Sequence, residues 1–388
     1  MVPKGWESKE LQYLCKKIAV GLAISVTPFM KDRGVKLIRN QNIKRNYFNS
    51  DSVVYIDELF ANSNKSKKVR HGDVVAVRTG SNIGEACVVP KEFDGALTFT
   101  TLIARPNPEF LDSFYLSTHI NSDHGVAEVN RLCAGGGKPN LNSGELKRYR
   151  LLTPPLPEQK KIAKILSTWD KAISTTEQLL ANSQQQKMAL MQQLLTGKKR
   201  LLDSNGVRFS GDFTSIKVKD LVDIFYGKSP KEILSSSGDF PIYGTGGISG
   251  YSSEALCFDA SVLIGRKGTI DRPVYIETPF WAIDTTFYCL PKSQTNLKWF
   301  YYLVSNVDLK KYSEASGVPS LSRETIYSIK VTITTNLEEQ QKIAAVLSTA
   351  DKEITTLQQK LDALKQEKKA LMQQLLTGKR RVKVGEAA

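Results

Sequence analysis

The stretch EQKKIAKILSTWDKAISTTEQLLANSQQQKMALMQQLLTGKKR (158–200) returns without a gap as EQQKIAAVLSTADKEITTLQQKLDALKQEKKALMQQLLTGKRR (339–381). Of 43 aligned positions 27 are identical, and LMQQLLTGK closes both copies unchanged, at 190–198 and 371–379. Self-similarity of this kind within one chain marks a duplicated structural unit. In the second copy Ile343, Leu347, Ala350, Ile354, Leu357, Leu361, Leu364, Lys368, Leu371 and Leu375 follow each other by alternate steps of four and three. That is a coiled-coil seam sustained for about five heptads. The first copy keeps it with Ile162, Leu166, Trp169, Ile173, Thr176, Leu180, Ser183, Lys187, Leu190 and Leu194. Its middle is polar at Thr176, Ser183 and Lys187, which makes it a poor partner for itself and a better one for the second copy.

Gly197 and Gly378 stand where a helix C-cap belongs, followed by basic residues that suit the negative end of the helix dipole. Upstream, TPPLPEQ (153–159) marks the first helix start, because proline is tolerated in a first turn but not inside. Roughly 38 residues per copy make a rod of about 57 Å. Two such rods with a globular segment between them can fold back on each other. The expected arrangement is an intramolecular antiparallel coiled coil.

The segments between the helices echo one another more faintly. VVAVRTG (74–80) matches VLIGRKG (262–268), and TTLIARP (100–106) matches TTFYCLP (285–291). FLDSFYL (110–116) echoes NLKWFYYL (296–303), and GGKPNLNSGEL (136–146) echoes SGVPSLSRETI (316–326). Short apolar strands among many glycine turns, with few helices, point to an α+β fold with a pseudo-two-fold internal repeat. The order is therefore domain 1–157, helix 158–200, domain 201–338, then a second helix and basic tail over 339–388. The helices have diverged less than the domains, so the helices do one job twice while the domains do two different jobs.

A chain of 388 residues, 41% hydrophobic and 24% charged, can bury more than one core. No stretch approaches the roughly 18 apolar residues of a membrane span, and MVPKGWESKELQYL lacks the apolar centre of a secretory signal. Five cysteines (Cys15, Cys87, Cys133, Cys257, Cys289) are scattered singly, the pattern of buried thiols in a reducing compartment. A cytoplasmic protein is expected. Net charge is +15, divided as +7 over 1–157, +5 over 158–200, −1 over 201–338 and +4 over 339–388. Such a chain favours polyanions, nucleic acid first.

Catalytic signatures are missing. GKS at 227–229 lacks the first glycine of a phosphate-binding loop, since Val222 stands there. TPPL (153–156) lacks the polar and aromatic ends of an adenine-clamping tetrad. YGTGGISGY (243–251) reads as a loop, and His71, His119 and His124 are too few and too unpatterned for a metal or relay site. What remains is binding, through basic side chains in Gly/Ser/Asn loops that reach phosphates and base edges. In the first domain the candidates are Arg39, Lys44 and Arg45 in KLIRNQNIKRNYF (36–48), Lys67, Lys68 and Arg70 in NKSKKVR (64–70), and Arg78. In the second they are Lys228, Arg266 and Lys267, with the echo placing Arg266 at the point equivalent to Arg78.

Two variable domains, each followed by a near-identical long helix ending in LLTGK, resemble the specificity subunit of a bacterial type I restriction-modification enzyme. PKGW (3–6), LPEQKKIAKILS (156–167), LEEQQKIAAVLS (337–348) and both LMQQLLTGK ends carry the resemblance. It covers nearly the whole chain. The resemblance implies a non-catalytic subunit with two target-recognition domains, each reading one half of a split double-stranded DNA sequence. It also implies that the paired helices dock two methyltransferase subunits, with motor–nuclease subunits joining for cleavage. S-adenosylmethionine, ATP and Mg would then belong to those partners, with no cofactor or metal in this chain. The −1 charge of the second domain departs from the simplest picture, so its DNA face must be basic by local clustering. A protein-binding coiled-coil scaffold and a stand-alone enzyme with an unrecognised site are the competing readings.

Overall fold

In the computed structural model, which describes residues 2–133, 140–234 and 237–384, the repeated segments form helices Leu156–Leu194 and Leu337–Leu376. The chain folds as two units, Met1–Glu177 with Lys360–Ala388, and Gln178–Gln359. Each unit therefore owns the beginning of one long helix and the end of the other.

The first unit is built on an antiparallel sheet ordered Cys15–Val20, Thr101–Pro106, Val74–Val77, Ala86–Val88. Val74–Val77 is buried at every position, so this strand reads as a continuous apolar run rather than an alternating one. Helix Ser113–Ile120 is capped by the Asp112 carboxylate and presses Tyr115 and Leu116 into the core. A short pair, Glu7–Glu10 with Arg150–Thr153, closes the unit next to the first long helix. A smaller sheet (Leu97–Thr98, Val35–Ile38, Val54–Ile56, Met30–Lys31) carries its own apolar cluster.

The second unit repeats this plan. Its sheet is ordered Val222–Tyr226, Thr286–Pro291, Ser261–Gly265, Val274–Ile276, again antiparallel. Asn296 caps helix Leu297–Ser305, which buries Trp299, Phe300 and Tyr302, and Thr214–Lys217 pairs with Lys330–Ile333. A second sheet joins Gly247–Ser252, Phe240–Gly244 and Trp281–Ala282. The echoes seen in sequence are thus one topology used twice; of the pair 136–146 and 316–326, residues 136–139 lie outside the described residues.

The two long helices form an antiparallel coiled coil in both units. In the first, Ile162, Ala163 and Leu166 share a core with Leu375 and Leu376, while Asp170 pairs with Lys368 and Glu177 with Lys365 at 2.8 Å. Numbers rise along one helix as they fall along the other. In the second, Leu194 and Leu195 meet Ile343, Ala344 and Leu347, Lys187 pairs with Asp351, and the Ser183 hydroxyl donates to Glu353 at 3.2 Å. Every seam position named from the heptads, Leu180, Ile354, Leu357, Leu361 and Leu364 among them, is buried or half-buried. The polar members of the first copy are not idle: Lys187 also sits 5.5 Å from the Tyr302 ring, and the Thr176 hydroxyl donates to the Ala172 carbonyl at 2.8 Å.

Each helix start is fastened to the sequence that follows the other helix. Glu339, 1% exposed, accepts two hydrogen bonds from Arg200, at 2.6 and 2.8 Å, and Arg200 also donates to the Gly211 carbonyl and lies over Phe213. Glu158, equally buried, accepts the same fork from Arg381 at 2.7 Å twice, plus the Trp6 indole N–H at 3.1 Å. Arg381 in turn donates to the Lys4 carbonyl and lies over the Trp6 ring. Gly197 and Gly378 end the helices at φ +74° and +69°, and a Cβ on either would strike Phe213 or Pro3. The neighbouring amides Gln159 and Gln340 accept the backbone N–H of Asp112 and Asn296, the caps of the domain helices. This explains why the EQ pair recurs: the acid holds the opposite helix end and the amide holds the domain.

Two features differ from the sequence expectations. Cys15 and Cys133 are only half-buried, although all five cysteines are free thiols. His119, set aside above as unpatterned, is fully packed: it is 1% exposed, with Nδ1 bonded to the Tyr149 hydroxyl at 2.8 Å and Nε2 unpaired among the described residues. Burial, and to a lesser degree His124, pushes its pKa down to about 3.

Arg200→Ala should destabilise the second unit by about 3–5 kcal/mol, since it strands a buried carboxylate. Arg381→Ala should cost less, because Glu158 keeps the Trp6 indole; chemical denaturation of the two variants makes the comparison. His119 gives an acid limb: below its unfolded pKa near 6.5 the unfolded chain binds a proton that the folded chain refuses, so stability falls as pH drops toward 3. Between pH 6.5 and about 5 the loss from this group is roughly 2 kcal/mol. His119→Gln should flatten that part of a stability-against-pH curve.

Candidate nucleic-acid interface

The registers of the two sheets place the candidate arginines. Val77 pairs with Thr101 and Gly265 with Thr286, so Arg78 and Arg266 leave the same edge of equivalent strands. Each arginine's carbonyl accepts a backbone N–H from the returning segment, Leu141 to Arg78 at 3.0 Å and Leu321 to Arg266 at 2.9 Å. One residue further, Asn142 and Ser322 cap the short helices Ser143–Lys147 and Arg323–Ser328. Both arginines thus sit where a strand end, a glycine turn and a capped helix meet.

Their surroundings differ. Arg78 is half-buried and donates from Nε to the Asn140 side chain at 3.1 Å. Arg266 donates from Nη1 to the Asp284 carbonyl at 3.2 Å and lies 5.3 Å from the centre of the Tyr226 ring. Arg323 lies 5.2 Å from the same ring, and Phe287 meets it edge-on. Lys228 and Lys267 are exposed beside this group, their backbone N–H groups fixed to Ala282 and Thr285.

The other candidates in the first unit fall elsewhere. Arg39 is half-buried and donates to the Ser52 carbonyl at 3.1 Å. Lys67 donates to the Val20 carbonyl at 3.0 Å, tying the 64–70 loop to the sheet, and Lys68 makes a longer bond to Asn62 in the short helix Glu58–Ser63. Arg70 and Lys44 are exposed. Arg45 is exposed too, 3.4 Å from Glu85, and lines a groove of about 800 Å³ with Lys365, Lys368, Lys369 and Lys379 of the second long helix. The charge of that helix is thereby brought to the first domain, which the segment-by-segment charge count does not reveal.

Sequence reasoning missed Tyr226 and Arg323. A signal existed for each: Tyr226 ends a strand, VDIFY, whose last two residues are aromatic yet exposed, and Arg323 is the first helical residue after a serine cap. Nothing in the sequence says that they meet. Among the described residues no group of His, Cys, Asp and Glu could hold a metal ion, and no helix is long and apolar enough to cross a membrane.

A duplicated frame that carries an arginine at the same strand end in each half fits the class of nucleic-acid-recognition proteins. The pattern of the type I restriction modification DNA specificity domain matches residues 3–182 and 210–366. The chain belongs to that family: it is a DNA sequence-recognition subunit and not a catalytic one. Among relatives of Methanocaldococcus jannaschii, the MjaVIII specificity subunit is 26% identical, covering 83% of this chain and 82% of its own. A sequence named as the MjaX specificity subunit is 23% identical over 98% of this chain and 95% of its own. The S subunit of a type I restriction-modification system from M. genitalium shares the fold at a TM-score of 0.68 and 17% identity, covering 97% and 96% of the two chains.

Proposed function

We propose that the chain reads a bipartite double-stranded DNA target, with residues 1–157 and 201–338 as its two recognition domains and the repeated helices as the spacer between the half-sites. Arg78 with Lys44, Arg45 and Arg70 serves the first half-site, and Arg266 with Lys267 and Lys228 the second. Arg39, Lys67 and Lys68 shape the loops that present them. The observation that carries the reading is the duplication itself: the same strand end, turn and capped helix occurs twice, with an arginine kept and its neighbours changed. The paired helices dock two methyltransferase subunits, and motor–nuclease subunits join for cleavage. S-adenosylmethionine, ATP and Mg reside in those subunits.

Methylation profiling of a genome carrying the complex tests this directly; a target without two separated parts would overturn it. Two further outcomes follow from the physics. Binding to duplex DNA should weaken steeply with salt, and Lys228→Ala or Lys267→Ala should each reduce the slope of log affinity against log salt by about 0.9. Inserting seven residues at equivalent points of both helices, after Glu177 and after Gln358, keeps the seam in phase. It lengthens each rod by about 10 Å, so the recognised half-sites should stay the same while their separation grows by roughly three base pairs.

A further inference from the structure

The second unit contains a cluster that the equivalent described positions of the first do not carry. Tyr226 is 41% exposed, and two guanidiniums lie over its ring at 5.3 and 5.2 Å. The three side chains come from a strand end, a strand-to-turn junction and the first turn of a capped helix. The first unit has the same frame. Leu102 pairs with Val20 as Phe287 pairs with Tyr226, and Gly21 and Gly227 donate alike to Thr101 and Thr286. Val20, Arg78 and Ser143 therefore occupy the places of Tyr226, Arg266 and Arg323. The arginine is common; the ring and the second arginine are built into one domain only.

A guanidinium stacked on an aromatic face loses little freedom when it binds, and its planar fork matches a pair of acceptors. Arg266 uses one nitrogen on the Asp284 carbonyl while lying over the Tyr226 ring, and its other donors have no partner among the described residues. Among the described residues the one acceptor Arg323 reaches is Glu324, at 3.4 Å, and that carboxylate is 68% exposed and readily exchanged for another. A plain phosphate contact needs charge but not a clamped plane, and the exposed Lys228 and Lys267 already supply charge at the rim. In the major groove the paired acceptors O6 and N7 of guanine are the natural match for a fixed arginine fork.

We propose that Arg266 and Arg323, held on Tyr226, read guanine edges in the half-site contacted by the second domain, while Lys228 and Lys267 take the flanking phosphates. This rests on the bipartite reading above. It also accounts for how a segment of net charge −1 serves a polyanion: recognition there depends on a few oriented cations rather than on a broad field.

The test is selection of bound duplexes from a random-sequence pool by the full-length chain, with Arg266→Lys, Arg323→Lys, Tyr226→Phe and Tyr226→Leu beside the unchanged protein. Lysine keeps the charge and removes the fork. The unchanged chain should enrich a two-part sequence with guanine in one part. Each lysine variant should lower the preference for a guanine in that part by about tenfold, leaving the other part alone. Tyr226→Phe should select as the unchanged chain does, and Tyr226→Leu should relax the same position as the lysine variants. Lysine variants that enrich the original sequence, or that lose both parts equally, would overturn the assignment while the two-part target stands. Failure of the unchanged chain to enrich any two-part sequence would instead overturn the bipartite reading, and this inference with it.

Discussion

Two buried carboxylates, Glu158 and Glu339, hold the architecture together, because each takes the bidentate fork of an arginine that lies beyond the far end of the other long helix. An acid in the first turn of a helix and a cation just past its last turn are both favoured by the helix dipole. Parallel pairing would leave each acid about 57 Å, the length of a rod, from its arginine. Antiparallel pairing brings them together twice. The glycines at 197 and 378 complete the constraint, since the turn that carries each arginine must adopt a left-handed backbone against an aromatic or proline wall.

The middle of the seam answers a different question, which is why the copies diverged there. Offset by the repeat, Asp170 corresponds to Asp351 and Lys187 to Lys368, so the pairs Asp170–Lys368 and Lys187–Asp351 are equivalent and survive any pairing of the copies. They set register but do not choose a partner. Ser183 corresponds to Leu364 and Glu353 to Ala172. In the molecule Ser183 hydrogen-bonds the Glu353 carboxylate; the second copy paired with itself would set Leu364 against that charge. Glu353 is exposed, so that pairing would forfeit the Ser183 hydrogen bond rather than strand a buried charge. The ends of the helices thus enforce antiparallel register, and the centre favours the heterotypic pair found within one chain.

This division explains what could be read from the sequence. The heptads were legible because a period of 3.5 is written along one continuous segment, and the glycine caps because a left-handed turn narrows the choice of residue. The recognition domains were legible only as an echo: their strands are two to six residues long, and such runs show apolar content but not neighbour order. The clasp was half legible, as a recurrent EQ and a recurrent basic pair after LLTGK, but its geometry was not. His119 looked like an ordinary polar residue until the fold packed it under Tyr149. Tyr226 and Arg323 were invisible as a pair because their meeting depends on the register of the sheet and the return of the chain to a helix cap.

The same register shows how a repeat can keep its frame and change its reading. Around Arg78 and Arg266 the backbone bonds are the same, Leu141 and Leu321 closing onto equivalent carbonyls. Those bonds involve no side chain, so substitution at the flanking positions leaves them intact. Val20 can become Tyr226 and Ser143 can become Arg323 without disturbing the strand pairing or the helix cap, because the capping is done by the preceding Asn142 or Ser322. What changes is the way the common arginine is held, by an amide from Asn140 in one domain and by an aromatic face in the other. An arginine tethered by an amide keeps its plane through one hydrogen bond, whereas one laid on a ring and bonded to a carbonyl is fixed from two directions. The first unit has the larger positive charge, and the second holds its arginine by two contacts rather than one. The duplicated frame thus presents its common arginine in two different settings.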